Sequence, residues 1–361
     1  MSDGDVHATG TLDFVDLELD PGGASPCFLA AQFIPSRALM LFQARARLAN
    51  GREVHVFWAP TTSDAVRALN GGPTDVMGNA SFSFGAAILA PFANRIRGKY
   101  SELDRTIETD LGGRRLRLPA NGGGKAIGAE QYAIHGLILS TPVEELATER
   151  GAGLAQVTGR IRARDFGVRW PSSTELHIRW SLQSHALSLH VTATNVGNEE
   201  LPIGIGWHPY FALPSGRRDQ GRIRIPARSR VVVNNYDEVL PTGEVLPVAG
   251  TRFDFRAVGG APLVHDLDDC FVEIDKTSSG ATVCEVIDPA AQYGLTISGA
   301  SPQISAIQTF ADKRPLVVIE PQFNWADPYG SEWSGRETGM VLLKPSETVD
   351  YSVKLELFTP K

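Results

Sequence analysis

An all-β fold, a large antiparallel sandwich or barrel with few short helices, is predicted by three features of this sequence. Several segments alternate apolar and polar residues, 36 glycines and 23 prolines are spread between them as turn formers, and helical periodicity is sparse. Residues 175–182 put Leu176, Ile178, Trp180 and Leu182 on one face and Glu175, His177, Arg179 and Ser181 on the other, the period-two pattern of a half-buried strand. Residues 187–194 repeat the pattern, with Leu187, Leu189, Val191 and Ala193 against Ser188, His190, Thr192 and Thr194. Near the C-terminus Tyr351, Val353, Leu355 and Leu357 oppose Ser352, Lys354 and Glu356. Residues 315–319 are apolar throughout and predict a strand buried on both faces. The best helix signal is 63–72, with Ser63 as N-cap and Gly71 or Gly72 as the stop. No composition shift or internal repeat divides the chain, so residues 1–361 are expected to form a single domain with a concave sheet face open to a ligand.

Hydrophobic residues make up 42% of the 361 and charged residues 21%, which excludes a disordered chain. The net charge of −7 argues against a cationic footprint for nucleic acid or an anionic membrane and favours a small polar partner. Cys27, Cys270 and Cys284 form no C-x-x-C pair, so neither a disulfide framework nor a thiolate zinc site is suggested. The opening Met1-Ser-Asp-Gly-Asp-Val-His lacks the Lys or Arg of a secretory signal, and no apolar run approaches the ~18 residues of a membrane span. A cytoplasmic protein is the expectation. No H-E-x-x-H, EF-hand loop or nucleophile elbow occurs, and Gly122-Gly-Gly-Lys-Ala126 lacks the spacing and the Ser or Thr of a phosphate loop. Nothing in these motifs demands a metal or an organic cofactor.

Four polar clusters carry candidate chemistry: residues 91–98 with Asn94 and Arg95, His135-Gly136, residues 206–211 with His208 and Tyr210, and residues 319–325 with Glu320. His208 lies where the apolar 202–206 segment gives way to His-Pro. It titrates near neutrality, although a histidine flanked by aromatics is most often a packing residue. Glu320 ends the apolar run 315–319 and is either an ordinary paired strand-end carboxylate or a desolvated one with a raised pKa suited to a general base. Arg95 offers fixed donors for a sugar oxygen or a carboxylate, and a surface ion pair is its plain alternative. Asp268 and Asp269 sit at the entrance of a strand beginning near Cys270.

Taken in order, PFANRIRGKYSELDR, AIHGL, IGWHPYFALP, LDDCF, VVIEPQFNWADPYG and TGMVLLKPSETVDYSVKLELF resemble the galactose mutarotase (aldose 1-epimerase) family over roughly residues 85–358. The resemblance implies a β-sandwich (the mutarotase-like supersandwich) with a carbohydrate site on its concave face. It implies interconversion of the α and β anomers of a free aldose, without metal or cofactor, by a monomer or homodimer. By position Glu320 would be the base that takes the anomeric hydroxyl proton, and His208 the acid that protonates the ring oxygen. Arg95, Asn94 and His135 would hold the ring, Asp269 would accept hydrogen bonds from sugar hydroxyls, and Tyr210, Phe211, Trp207 or Trp325 would offer it an apolar face.

Two segments depart from the family pattern: His135 is followed by Gly136-Leu137, and EPQ is followed by Phe-Asn-Trp-Ala-Asp-Pro-Tyr-Gly. Two alternatives therefore stand beside the free aldose. One is a hexose-6-phosphate 1-epimerase, with Arg97, Lys99, Arg217 and Arg218 available as a phosphate clamp. The other is a carbohydrate-binding sandwich without turnover.

Overall fold

The computed structural model describes residues 6–9 and 12–361; the acidic opening Met1–Asp5 lies outside them. Two antiparallel sheets dominate. The larger has twelve strands; its central run is Met40–Arg47, Ala86–Leu89, Gly206–Ala212, Leu316–Gln322, Ala306–Ala311, Leu267–Ile274 and Ala227–Val233. The nine-stranded sheet is centred on Thr174–Gln183, Ala186–Asn195, Thr348–Phe358 and Tyr293–Gly299. Leu176, Ile178, Trp180 and Leu182 are all buried while His177 and Arg179 are exposed, as the alternation predicts.

The apolar faces of the two sheets meet in one core. Leu189, Val191, Tyr351 and Val353 of the smaller sheet join Ile88, Trp207, Phe211, Val317 and Ile319 of the larger. Trp180 and Trp207 meet edge to face with centroids 5.9 Å apart. The Tyr351 hydroxyl donates to the Pro321 carbonyl at 2.6 Å, tying the strand that carries Glu320 to the opposite sheet. Leu316–Gln322 is buried at every position. Its odd residues enter the core, and its even ones face the other side of the sheet, where loops cover them.

A single α-helix, Thr62–Ala68, occurs among the described residues, and no helix there is long and apolar enough to cross a membrane. Its N-cap is Thr61, not Ser63. The Thr61 hydroxyl accepts from the Asp64 amide at 3.2 Å, because Thr61 holds the extended backbone that a cap requires while Ser63 is already in the first turn.

Candidate active site

On the side of the larger sheet away from the core a cavity of about 360 Å³ opens among Arg95, His135, His208, Tyr210, Asp268 and Glu320, a volume within the usual range for small-molecule sites. Strand register explains the meeting of residues 112 positions apart. Gly206 pairs with Gln322 and Tyr210 with Val318, which sets His208 across from Glu320. His208 Nε2 lies 3.5 Å from Glu320 Oε1. The next strand continues the row, with Gln308 opposite Glu320 and Asp268 opposite Phe310.

One wall is a small three-stranded sheet, in which Arg95-Ile96 pairs with Gln131–Ile134 and the latter with Gly122-Gly123. Asn94 has positive φ, a conformation Asn tolerates, and its Oδ1 accepts from both the Arg95 amide and Arg95 Nη1. Its Nδ2 donates to Gln308 Oε1 at 2.9 Å, and Gln308 Nε2 donates to Asp268 Oδ1 at 2.7 Å. Arg95 Nη2 closes the ring 3.7 Å from Asp268 Oδ2, and its guanidinium lies 5.7 Å from the centre of the Tyr132 ring. Asn324 ties the two halves of the site together: its Oδ1 accepts from the Ala93 amide and its Nδ2 donates to the Ala93 carbonyl.

His135 stands on a sharp turn. His135 and Gly136 both have positive φ, the His135 amide donates to the Asn94 carbonyl at 2.9 Å, and the Leu137 amide donates to that of Ala90 at 2.7 Å. A Cβ on Gly136 would sit 2.2 Å from the Ala90 carbonyl oxygen, so glycine is required. Gly136→Ala is expected to cost at least ~2 kcal/mol, positive-φ strain plus a backbone clash, measured as a lowered denaturant midpoint with unchanged slope. The turn sets the His135 ring edge-on to His208, centroids 4.9 Å apart, with Phe82 4.8 Å from His135. Tyr210 stacks on His208 at 5.2 Å and donates its hydroxyl to the Phe82 carbonyl at 3.0 Å.

Burial governs the electrostatics. It pushes the Glu320 carboxyl well above its ordinary value, with help from repulsion by Asp268 and against the attraction of Arg95. The same desolvation lowers His208 to about 3 and His135 well below 6.5. Asp268 is raised by burial, against the pull of Arg95. Burial opposes the Arg95 charge as well, but Asp268, Tyr132 and Glu320 outweigh it. The His208–Glu320 pair therefore favours a neutral imidazole beside a protonated carboxyl.

Most of the residues expected from the sequence converge here, with two corrections. Asp269 does not line the cavity; Asp268 does. Asp269 pairs with Thr309 on the other face of the strand, is fully buried, and binds Arg230 at 3.1 Å and the Tyr236 hydroxyl at 2.5 Å. A one-residue step along a strand reverses the face, which separates the neighbouring aspartates. Asn94 is buried behind Arg95 and orients it rather than lining the cavity. Of the four aromatics, only Tyr210 faces the cavity: Trp207 and Phe211 are on the core side, and Trp325 packs on Trp333. None of Arg97, Lys99, Arg217 and Arg218 reaches it.

Sequence reading missed Phe82, Tyr132, Gln308 and Phe310, and also the segment Asn121–Lys125, of which Asn121, Gly122, Gly123 and Lys125 line the cavity. Parity along Ala306–Ala311 relative to Glu320 finds Gln308 and Phe310 once the pairing is known; the residues of that segment carry no such signal.

Solved structures of similar fold cover nearly the whole chain. A galactose mutarotase-like protein from Clostridium acetobutylicum is 18% identical with a TM-score of 0.72, covering 96% of both chains. The aldose epimerase homologue from C. elegans is 16% identical at TM-score 0.70, over 97% of this chain and 100% of that one. The galactose 1-epimerase from Lactobacillus acidophilus is 17% identical at TM-score 0.65, again over 97% and 100%. No curated protein matches the chain. The family model described as aldose 1-epimerase matches residues 55–356, well over half of the sequence. On that match the chain is an isomerase and belongs to the aldose 1-epimerase family.

Proposed function

We propose that the chain interconverts the α and β anomers of a free, uncharged aldohexose by acid/base ring opening and reclosure. The observation that carries this reading is the buried pair His208–Glu320, 3.5 Å apart on the floor of a sugar-sized cavity. Opening a hemiacetal needs a proton removed at O1 and one delivered at the ring oxygen, and an imidazole and a carboxyl that together hold one proton match that demand. With sugar bound, the proton held by Glu320 passes to His208, 3.5 Å away; the freed carboxylate takes the O1 proton as His208 delivers its own to the ring oxygen and the C1–O5 bond breaks, leaving the pair with one proton again. Rotation about the C1–C2 bond then exposes the other face of the aldehyde, and reclosure with both transfers reversed gives the other anomer. Arg95 and His135 face the ring and oppose charge developing on its oxygen, while Asp268 and Gln308 present acceptors and donors to its hydroxyls. Phe82, Tyr210 and Phe310 supply apolar faces.

The test is polarimetry of freshly dissolved α-glucose and α-galactose. The purified chain at catalytic concentration accelerates the approach to the equilibrium rotation; relaxation at the buffer rate for both sugars and for other aldohexoses sinks the reading and leaves the binding-module alternative. Lys125, an exposed rim residue, is the one lysine on the cavity. For an uncharged substrate, Lys125→Ala changes kcat/KM by less than about twofold and added salt has little effect, because no substrate charge is there to screen. A preference for hexose 6-phosphate that falls about tenfold or more in Lys125→Ala and weakens with salt would favour the phosphosugar alternative.

A further inference from the structure

The carboxyl of Asp327 is buried, belongs to the segment that departs from the family pattern, and has no part in the acid/base chemistry above. It grips the backbone behind Arg95 from two sides. The Asp327 amide donates to the Arg95 carbonyl at 2.6 Å, and Asp327 Oδ1 accepts from the Arg97 amide at 3.0 Å. Residues 95–97 are thus held on one edge by the strand Gln131–Ile134 and on the other by a single aspartate. Asp327 takes up a left-handed backbone conformation, φ 48°, which Asp and Asn tolerate, and the Trp333 indole donates to its carbonyl at 2.8 Å. A second carboxyl, Glu332, is folded back onto it across Gly330, and Glu332 Oε1 is buried without a hydrogen-bond partner. The Arg97 side chain, whose charge acts on Asp327, is already engaged by Glu130 at 3.0 and 2.5 Å, and Glu238 lies beyond it.

We propose that Asp327 is a positioning residue: paired with Glu332, its carboxyl holds the Arg95–Arg97 backbone in place and thereby sets where the Arg95 guanidinium meets the sugar. The inference rests on the reading of Arg95 as a sugar-holding residue. Burial, together with repulsion from Glu332, raises Asp327 to about 7, against the Arg97 amide and guanidinium. Below that pH Asp327 is protonated and hydrogen-bonded to Glu332, and the grip is intact. As Asp327 ionises it is repelled by Glu332, and Arg97, shared with Glu130, offsets only part of that repulsion.

The experiment measures galactose affinity by calorimetry, and the Arg97 amide by NMR, from pH 6 to 8.5, for the wild type, Asp327→Asn and Glu332→Gln. Asparagine keeps an acceptor for the Arg97 amide and suits the left-handed backbone, while either variant removes the carboxyl pair. In the wild type, Kd rises about three- to tenfold across the range, the scale of one weakened hydrogen bond, and the Arg97 amide shift titrates with it. In both variants Kd and the amide shift stay flat. A purely structural role would lower the melting temperature of the variants and leave the pH dependence of Kd in place. The proposal is overturned if wild-type Kd is independent of pH, or if both variants keep the wild-type dependence. Binding is read without turnover, so loss of anomer exchange with Kd still titrating contradicts the function and leaves the positioning role standing.

Discussion

Glu320→Gln is expected to lower kcat for anomer exchange by ~10²–10⁴-fold, the span of a single general acid/base contribution, while sugar affinity stays within about threefold. Glutamine keeps the shape of the side chain and its contacts with the strand, so binding survives; it cannot accept the O1 proton, so the transition state loses its base. The same variant makes a second, independent prediction about stability. Because burial raises Glu320, the carboxyl costs the folded state nothing below the ordinary glutamate value, and progressively more as pH climbs through that value toward the raised one. Relative to the wild type, Glu320→Gln therefore gains stability between pH 5 and 8, and the gain vanishes below about pH 4. Thermal melts across that range check the sign. Equal kcat for variant and wild type would remove Glu320 from the chemistry.

His208→Asn is expected to cost a comparable ~10²–10⁴-fold in kcat. The asparagine amide still hydrogen-bonds a sugar oxygen but cannot deliver a proton to it. The wild-type pH profile follows from the pair acting as one unit. With His208 pulled down to about 3 and Glu320 pushed up by burial, a single proton is held between them over the interval that separates the two. Activity is flat there, falls at the acid end as a second proton binds, and falls at the alkaline end as the shared one leaves. In His208→Asn only the Glu320 limb remains. Acidification also loads the folded state: neutral His208 and His135 give stability that is present above the ordinary histidine value and is lost as pH falls through it toward their lowered values.

Much of this arrangement was legible before any coordinates. Alternation gave three of the nine strands of the smaller sheet, two to within one residue at each end and Thr348–Phe358 short by three at its start, and the unbroken apolar run at 315–319 marked the strand that is buried on both faces. Glu320, which follows that run, read equally as a paired strand-end carboxylate or as a desolvated one, and the burial of the whole strand decides for the second. The family resemblance supplied the partner, since nothing local in His208 distinguishes it from a packed histidine. What stayed hidden depends on pairing. Asp268 and Asp269 are equivalent in sequence, and only the register with Thr309 and Phe310 decides which one faces the cavity. Trp207 and Tyr210 were alike as aromatic candidates until the pleat assigned one to the core and the other to the floor of the site. Phe82 and Lys125 arrive from a 3₁₀ segment and a glycine loop whose periodicity carries no information about direction.

The most direct measurement is a crystal structure of Glu320→Gln with galactose bound. The account predicts the pyranose in the cavity with O1 within ~2.6–3.2 Å of the residue 320 side chain and the ring oxygen within the same reach of His208 Nε2. A sugar seated with its C1 end turned away from both residues, or bound on another face of the sandwich, would contradict it.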